Sequence, residues 1–124
     1  MLICDTNIFI EVYRNNPEIE NKLNNAGIDN LAISDVTKAE LIIGAKNKIE
    51  LDVIRKHLKT LFTFHVNSGI SEMAIDLIDK YCLSHKLLLP DALIAATAIH
   101  YNMELFTLNL KDFKFIPNIK LYHF

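Results

Sequence analysis

Short apolar runs recur along this chain at intervals that helices fill, and this alternation narrows its fold more than any other feature. Residues 2–5, Leu31–Ser34, Thr63–Val66, Leu105–Leu108 and Ile119–Tyr122 each read as a brief strand. Helical spacing fills the intervals: about 7–14, Pro17 to about Asn25 with Gly27 as its stop, 35–47, and Glu50–Phe62 with Leu51, Ile54, Leu58 and Leu61 on one face. Ile70, Met73, Ala74, Leu77, Ile78, Tyr81 and Cys82 form the cleanest helical stripe. Helix 91–102 is apolar all round, which predicts that it is covered on several sides. Strands separated by helices imply right-handed crossovers. The expectation is therefore an α/β fold: a mostly parallel sheet of about five strands with helices on both faces. No linker, repeat or low-complexity segment interrupts the pattern, so 1–124 is expected to be a single domain.

In such sheets ligands gather beyond the carboxyl ends of the strands, at a topological switch point. Asp5 and Asn109 fall just past two such ends, and Asp91 follows Pro90 at a helix start. Asp112 lies just beyond the run Leu105–Leu108. Glu40 is the anomaly. Val36, Ala39, Glu40 and Ile43 share one face of helix 35–47, which predicts a carboxylate in the middle of an apolar stripe, costly unless something positive offsets it. Purely structural readings exist for the others: Asp5 as a helix N-cap, Asp91 as a first-turn acid, Asp112 as a turn residue. It is the set of four that points to chemistry, and hard divalent cations such as Mg²⁺ or Mn²⁺ are the usual partners of oxygen-only clusters.

Other classes are excluded by what is missing. The five histidines show no HxxxH or HxH spacing and the two cysteines no CxxC, so a zinc site is not expected. With Gly27, Gly44 and Gly69 as its only glycines, the chain has neither a Walker loop nor a dinucleotide fingerprint. A response-regulator receiver needs an acceptor Asp after the third strand, where Asn67-Ser68-Gly69 stands; a haloacid-type phosphatase needs an Asp at the position of Asn7. A net charge of −2 gives no global basic footprint, and Lys46-Asn47-Lys48 and Arg55-Lys56-His57 read as solvated helix faces. Cys4 and Cys82 both read as small buried hydrophobes, which with the absence of a leader or long apolar run makes the cytoplasm the expected compartment, away from membranes.

Four blocks then carry a family resemblance: Met1-Leu2-Ile3-Cys4-Asp5-Thr6-Asn7, Ser34-Asp35-Val36-Thr37-Lys38-Ala39-Glu40-Leu41, Pro90-Asp91-Ala92-Leu93-Ile94-Ala95-Ala96-Thr97-Ala98 and Thr107-Leu108-Asn109-Leu110-Lys111-Asp112-Phe113. In this order and at these separations the chain resembles a PIN domain, in particular the VapC-type ribonuclease toxins of bacterial toxin–antitoxin pairs. The resemblance implies a PIN-like three-layer fold and a metal-dependent endoribonuclease, with Mg²⁺ or Mn²⁺ held by Asp5, Glu40, Asp91 and Asp112. Asp5 and Asp91 are the expected direct or near ligands; Glu40 and Asp112 would bind through water or orient the attacking water. Thr6, Asn7, Thr37 and Asn109 become supporting or substrate-orienting groups. Leu108 departs from the pattern, since many relatives carry Arg there. An RNA substrate, a homodimer and a cognate antitoxin are the implied partners; a non-catalytic PIN-fold RNA-binding or assembly module is the alternative. Ile8, Phe9, Val12 and Tyr13 surround a short early helix with apolar groups, and the helices around Glu40 and Arg55 offer another apolar surface, so part of this is expected to serve a dimer and part a groove for an amphipathic segment.

Overall fold

The structure, a computed structural model, describes residues 1–123. Five strands, β1 (Leu2–Cys4), β2 (Leu31–Ser34), β3 (Phe62–Phe64), β4 (Glu104–Phe106) and β5 (Lys120–Leu121), form one sheet in the order β3-β2-β1-β4-β5, every pair parallel. Helices fill the intervals: α1 (Thr6–Tyr13), α2 (Pro17–Ala26), α3 (Asp35–Ile43), α4 (Lys48–Leu58), α5 (Ser68–His85) and α6 (Leu89–His100). The chain steps from β1 outward to β2 and β3, then returns to β1's other side for β4 and β5. The switch point therefore lies between the ends of β1 and β4, where Asp5 and Thr107 follow their strands.

Alternation across the pleat sends successive residues into two cores. Leu2, Cys4, Ile33 and Phe106 join Ile8, Phe9, Ile19, Leu23, Leu41, Ile54 and Leu58, the apolar faces of α1 to α4. Ile3 and Leu105 instead join Ile70, Ala74 and Leu77 of α5 with Ala92, Ile94, Ala95, Ala96 and Ala98 of α6. The alanines of α6 let that helix be enclosed nearly all round, as its composition predicts, and both faces of the sheet are covered.

Four sequence expectations are corrected. Helix 35–47 stops at Ile43, with Gly44 as its C-cap, and it turns Thr37 and Leu41 inward. Ala39 is exposed and Ile43 is 80% exposed, so Glu40 sits at the edge of the buried face, partly covered, and not inside an apolar stripe. Three consecutive apolar residues, Leu41-Ile42-Ile43, give this helix two possible apolar faces, and the sheet takes the one through Leu41. Cys82 is exposed: the inward line of α5 runs Ile70, Ala74, Leu77 and leaves position 82 on the flank. Only Cys4 is a buried thiol, pushed by that burial, with help from the Asp5 charge, up to about 12. The strand β2 has its expected bounds, whereas β1, β3, β4 and β5 are shorter than expected, because the residues that end β1, β3 and β4 turn into caps and loops.

Candidate active site

Asp5 leaves β1 as the N-cap of α1. Its backbone N–H still extends the sheet by bonding Phe106 O at 2.8 Å, while the extended φ and ψ of −71° and 158° turn the side chain toward the helix start. Both carboxylate oxygens are engaged: Oδ1 accepts from Thr6 N at 2.7 Å and Oδ2 from the Thr107 hydroxyl at 2.8 Å. At 6% exposure Asp5 is the one buried carboxylate among the described residues. Burial pushes its carboxyl above the ordinary aspartate value; the two hydrogen bonds pull it down, and the charges of Glu40 and Asp112 raise it further.

The next residue reaches across to α3. The Thr6 hydroxyl donates to Glu40 Oε1 at 2.6 Å and lies 3.3 Å from the Thr37 hydroxyl. Thr37 is held in place because Ser34, the N-cap of α3, accepts its backbone N–H at 3.2 Å. Asn7 works on the opposite side, accepting Leu108 N at 3.3 Å and so fixing α1 to the segment after β4. In that segment Asn109 donates its backbone N–H to the Thr107 hydroxyl at 3.0 Å, and the chain then makes a short 3-10 turn, Leu110–Asp112.

Asp91 stands in the first turn of α6, half-buried, behind Pro90. Burial first, and then the charges of Asp5, Asp112 and Glu40, push its carboxyl up to about 6. The structure thus brings all four sequence-predicted acids into one electrostatic neighbourhood: Asp5 buried, Glu40 and Asp91 partly covered, Asp112 exposed at the rim. They do not close into a cage. Among the described residues no three His, Cys, Asp or Glu side chains are disposed to hold one ion as they stand. The donor set nevertheless fits a hard divalent cation in kind, being oxygen-only, and its raised carboxyls mark a deficit of positive charge. Thr107, fully buried, is the supporting residue that sequence reasoning assigns no role. A threonine or serine at a strand end is ordinary β-sheet composition, and nothing local marks its partner.

A groove of about 570 Å³ opens beside the acids between α1, α3 and α4, lined by Ile10, Val12, Tyr13, Leu41, Val53 and Glu40 among others. Ile8 and Phe9 belong to the core, which corrects half of the expectation for that early helix; Val12 and Tyr13 reach the groove. One wall is fixed by the Tyr13 hydroxyl and His57 Nδ1, 2.7 Å apart, with the imidazole edge-on to Phe9 and Tyr13. Apart from His57, the basic residues of α4 are solvated.

The PIN domain family matches residues 2–117. The chain is 35% identical to ribonuclease VapC of Rickettsia bellii (strain RML369-C), over 97% of this chain and 93% of that protein. Among solved structures, a toxin–antitoxin complex from Klebsiella pneumoniae superposes with a TM-score of 0.82 at 34% identity, covering 100% of both chains. VapBC2 from Rickettsia felis bound to a DNA fragment from its promoter gives a TM-score of 0.79 at 26% identity, covering 99% of this chain and 98% of that one.

Proposed function

The chain belongs to the PIN-domain family, and from that premise we propose that it is a Mg²⁺- or Mn²⁺-dependent endoribonuclease of the VapC type, the toxin of a toxin–antitoxin pair, acting in the cytoplasm. The observation that carries this reading is the gathering of Asp5, Glu40, Asp91 and Asp112 at the switch point of the sheet, where Asp91 is driven up to about 6 by burial and by the other three. A fold gains nothing from such mutual repulsion, and an anionic phosphodiester would be repelled by it unless cations intervene. A bound Mg²⁺ or Mn²⁺ would supply charge for the phosphate and the leaving oxygen and would acidify a water as nucleophile.

The chain's own residues do the rest. Thr6 N and Thr107 hold Asp5 by its two carboxylate oxygens, and the Thr6 hydroxyl anchors Glu40. Asp91 is the group best suited to hold a proton near neutrality or to release it when a cation binds. Asn7 and Asn109 brace the rim on which the RNA strand would lie. Leu108 is partly exposed there and offers no charge, so phosphate contact at that position is left to neighbours such as Lys111.

The partner readings follow. Several relatives of known structure are toxin–antitoxin complexes, which supports a cognate antitoxin for this chain. The groove between α1, α3 and α4 is the surface we assign to it: Ile10, Val12, Val53 and Ile54 give it an apolar lining in which Val53 is exposed, and Glu40 shares that lining, so an amphipathic segment lying there would also cover Glu40. Ile75 and Leu83 of α5, with Leu88 and Leu89, are exposed apolar residues, and to them we assign the contact of a homodimer. The test of activity is cleavage of RNA with Mn²⁺ and with EDTA, by the wild type and by Asp91→Asn. Cleavage should need Mn²⁺ and fall by orders of magnitude in the variant; equal turnover by the two proteins in Mn²⁺ would overturn the proposal.

A further inference from the structure

Thr107 is fully buried at the end of β4, and its hydroxyl sits between two functional segments. A hydroxyl has one proton to give and lone pairs to receive. Here Asn109 N–H donates to Thr107 Oγ1 at 3.0 Å, which leaves the hydroxyl proton for Asp5 Oδ2 at 2.8 Å. The result is a directed chain from the segment carrying Asn109 and Asp112, through Thr107, to Asp5, and such chains strengthen each link by polarisation. We propose that Thr107 is a positioning residue of the site, locking the Asp5 carboxylate to the position of the Asn109–Asp112 segment. The proposal rests on the metal-dependent reading above.

Other residues show why this is more than a buried hydroxyl finding any acceptor. Thr97, equally buried, donates to Leu93 O at 2.7 Å in its own helix, the usual local solution. Thr107 instead spans β1 and β4, across a sequence separation of 102, to a carboxylate at the rim. Asp5 Oδ1 is already fixed by Thr6 N, so a bond at Oδ2 removes the remaining freedom, rotation of the carboxylate about its first anchor. Without the hydroxyl, Asp5 can pivot and Asn109 N–H loses its acceptor, so both halves of the site loosen together. Charge-assisted bonds of this kind also favour the ionised carboxylate that a cation requires.

The experiment measures Mn²⁺ binding to the full chain by the electron paramagnetic resonance of free Mn²⁺, for wild type, Thr107→Val, Thr107→Ser and Thr107→Ala. Val keeps the volume and deletes the hydroxyl; Ser and Ala differ by that oxygen alone, so the comparison survives if the Val protein does not fold. Loss of such a supporting bond weakens metal binding by roughly ten- to a hundredfold. Val and Ala are expected to bind at least about tenfold more weakly than wild type, and Ser within about twofold of it. In the metal-free protein, hydrogen exchange of the Asn109 amide should quicken in Ala and not in Ser. Equal affinities for Ser and Ala would overturn the positioning role while leaving the metal site standing. A wild type that takes up no Mn²⁺ would overturn the metal site, and the positioning role with it.

Discussion

Replacing Asp91 by Asn asks whether the acids are held together against their own repulsion. In the folded chain burial, then Asp5, Asp112 and Glu40, push the Asp91 carboxyl from 3.8 up to about 6. The fold thus binds this proton more tightly than the unfolded chain does. The stability it contributes is complete below about pH 4 and is lost as pH climbs through about 6. A rise of about two pH units corresponds to roughly 3 kcal/mol at 1.36 kcal/mol per unit. Asp91 is only half-buried, so water screens the repulsion and roughly 1.5 kcal/mol is the realistic cost of the charged form. Asn also forfeits the interaction of a first-turn negative charge with the N terminus of α6, about 0.5 kcal/mol. Relief of repulsion wins. In EDTA at pH 7.5, Asp91→Asn should be more stable than wild type by about 1 kcal/mol and melt about 4 °C higher. By pH 4 the advantage should vanish, since Asp91 is then protonated in the wild type. Differential scanning calorimetry at both pH values decides it. A variant that melts lower at pH 7.5, or a difference that ignores pH, would refute the reasoning.

Three further outcomes are expected. Phe106→Ala empties a fully buried site on β4 and should cost about 3–5 kcal/mol in urea unfolding, against less than about 1 for an exposed side chain. Asp35 accepts from His65 Nδ1 and Val66 N, each at 2.9 Å, and these bonds outweigh its burial to hold its carboxyl below the ordinary value. Asp35→Asn should therefore cost about 0.5–1 kcal/mol at pH 6 and progressively less as pH falls through the lowered carboxyl value, read from melting at pH 6 and pH 2.5. Val53→Asp changes a groove residue that is 59% exposed, so melting should be nearly unchanged while cognate antitoxin binding, measured calorimetrically, weakens at least about tenfold.

The fold was legible because its pattern is redundant. The strands β1, β2 and β4 lie on apolar runs, and every helix carries its own stripe or, in α6, apolar residues all round; no tertiary information is needed to see a parallel sheet in that alternation, whereas the order of its strands is set by packing alone. Legibility fails where two faces compete. In α3 the apolar residues Leu41, Ile42 and Ile43 permit more than one inward direction, and only the packing of Leu41 against the α1 to α4 core selects it. In α5 the stripe is one residue too wide for the surface it covers, which is why Cys82 falls outside. The acids could be singled out as a set, because Asp5, Asp91 and Asp112 each have an ordinary local reading and only their convergence with Glu40 does not. Thr107 could not, since its meaning lies in Asp5, 102 residues away, and in a backbone N–H that no sequence displays.

Structural and chemical readings of the acids are not rivals in this architecture. In a parallel sheet the carboxyl end of a strand is where the next helix begins, so a residue favoured as an N-cap is carried to the rim at which ligands bind. Asp5 is both at once: its Oδ1 caps α1 and its Oδ2 faces Thr107 at the switch point. Asp91 likewise suits the first turn of α6 and still lies within reach of the other acids' fields. Glu40 has no such local reason. It stands inside α3, well past the capping positions, and what holds it is the hydroxyl of Thr6 from another helix. Glu40 is therefore the residue whose presence a helix alone does not explain. At Asp5 the two roles are separable by chemistry, because Asn caps a helix as well as Asp does but carries no charge.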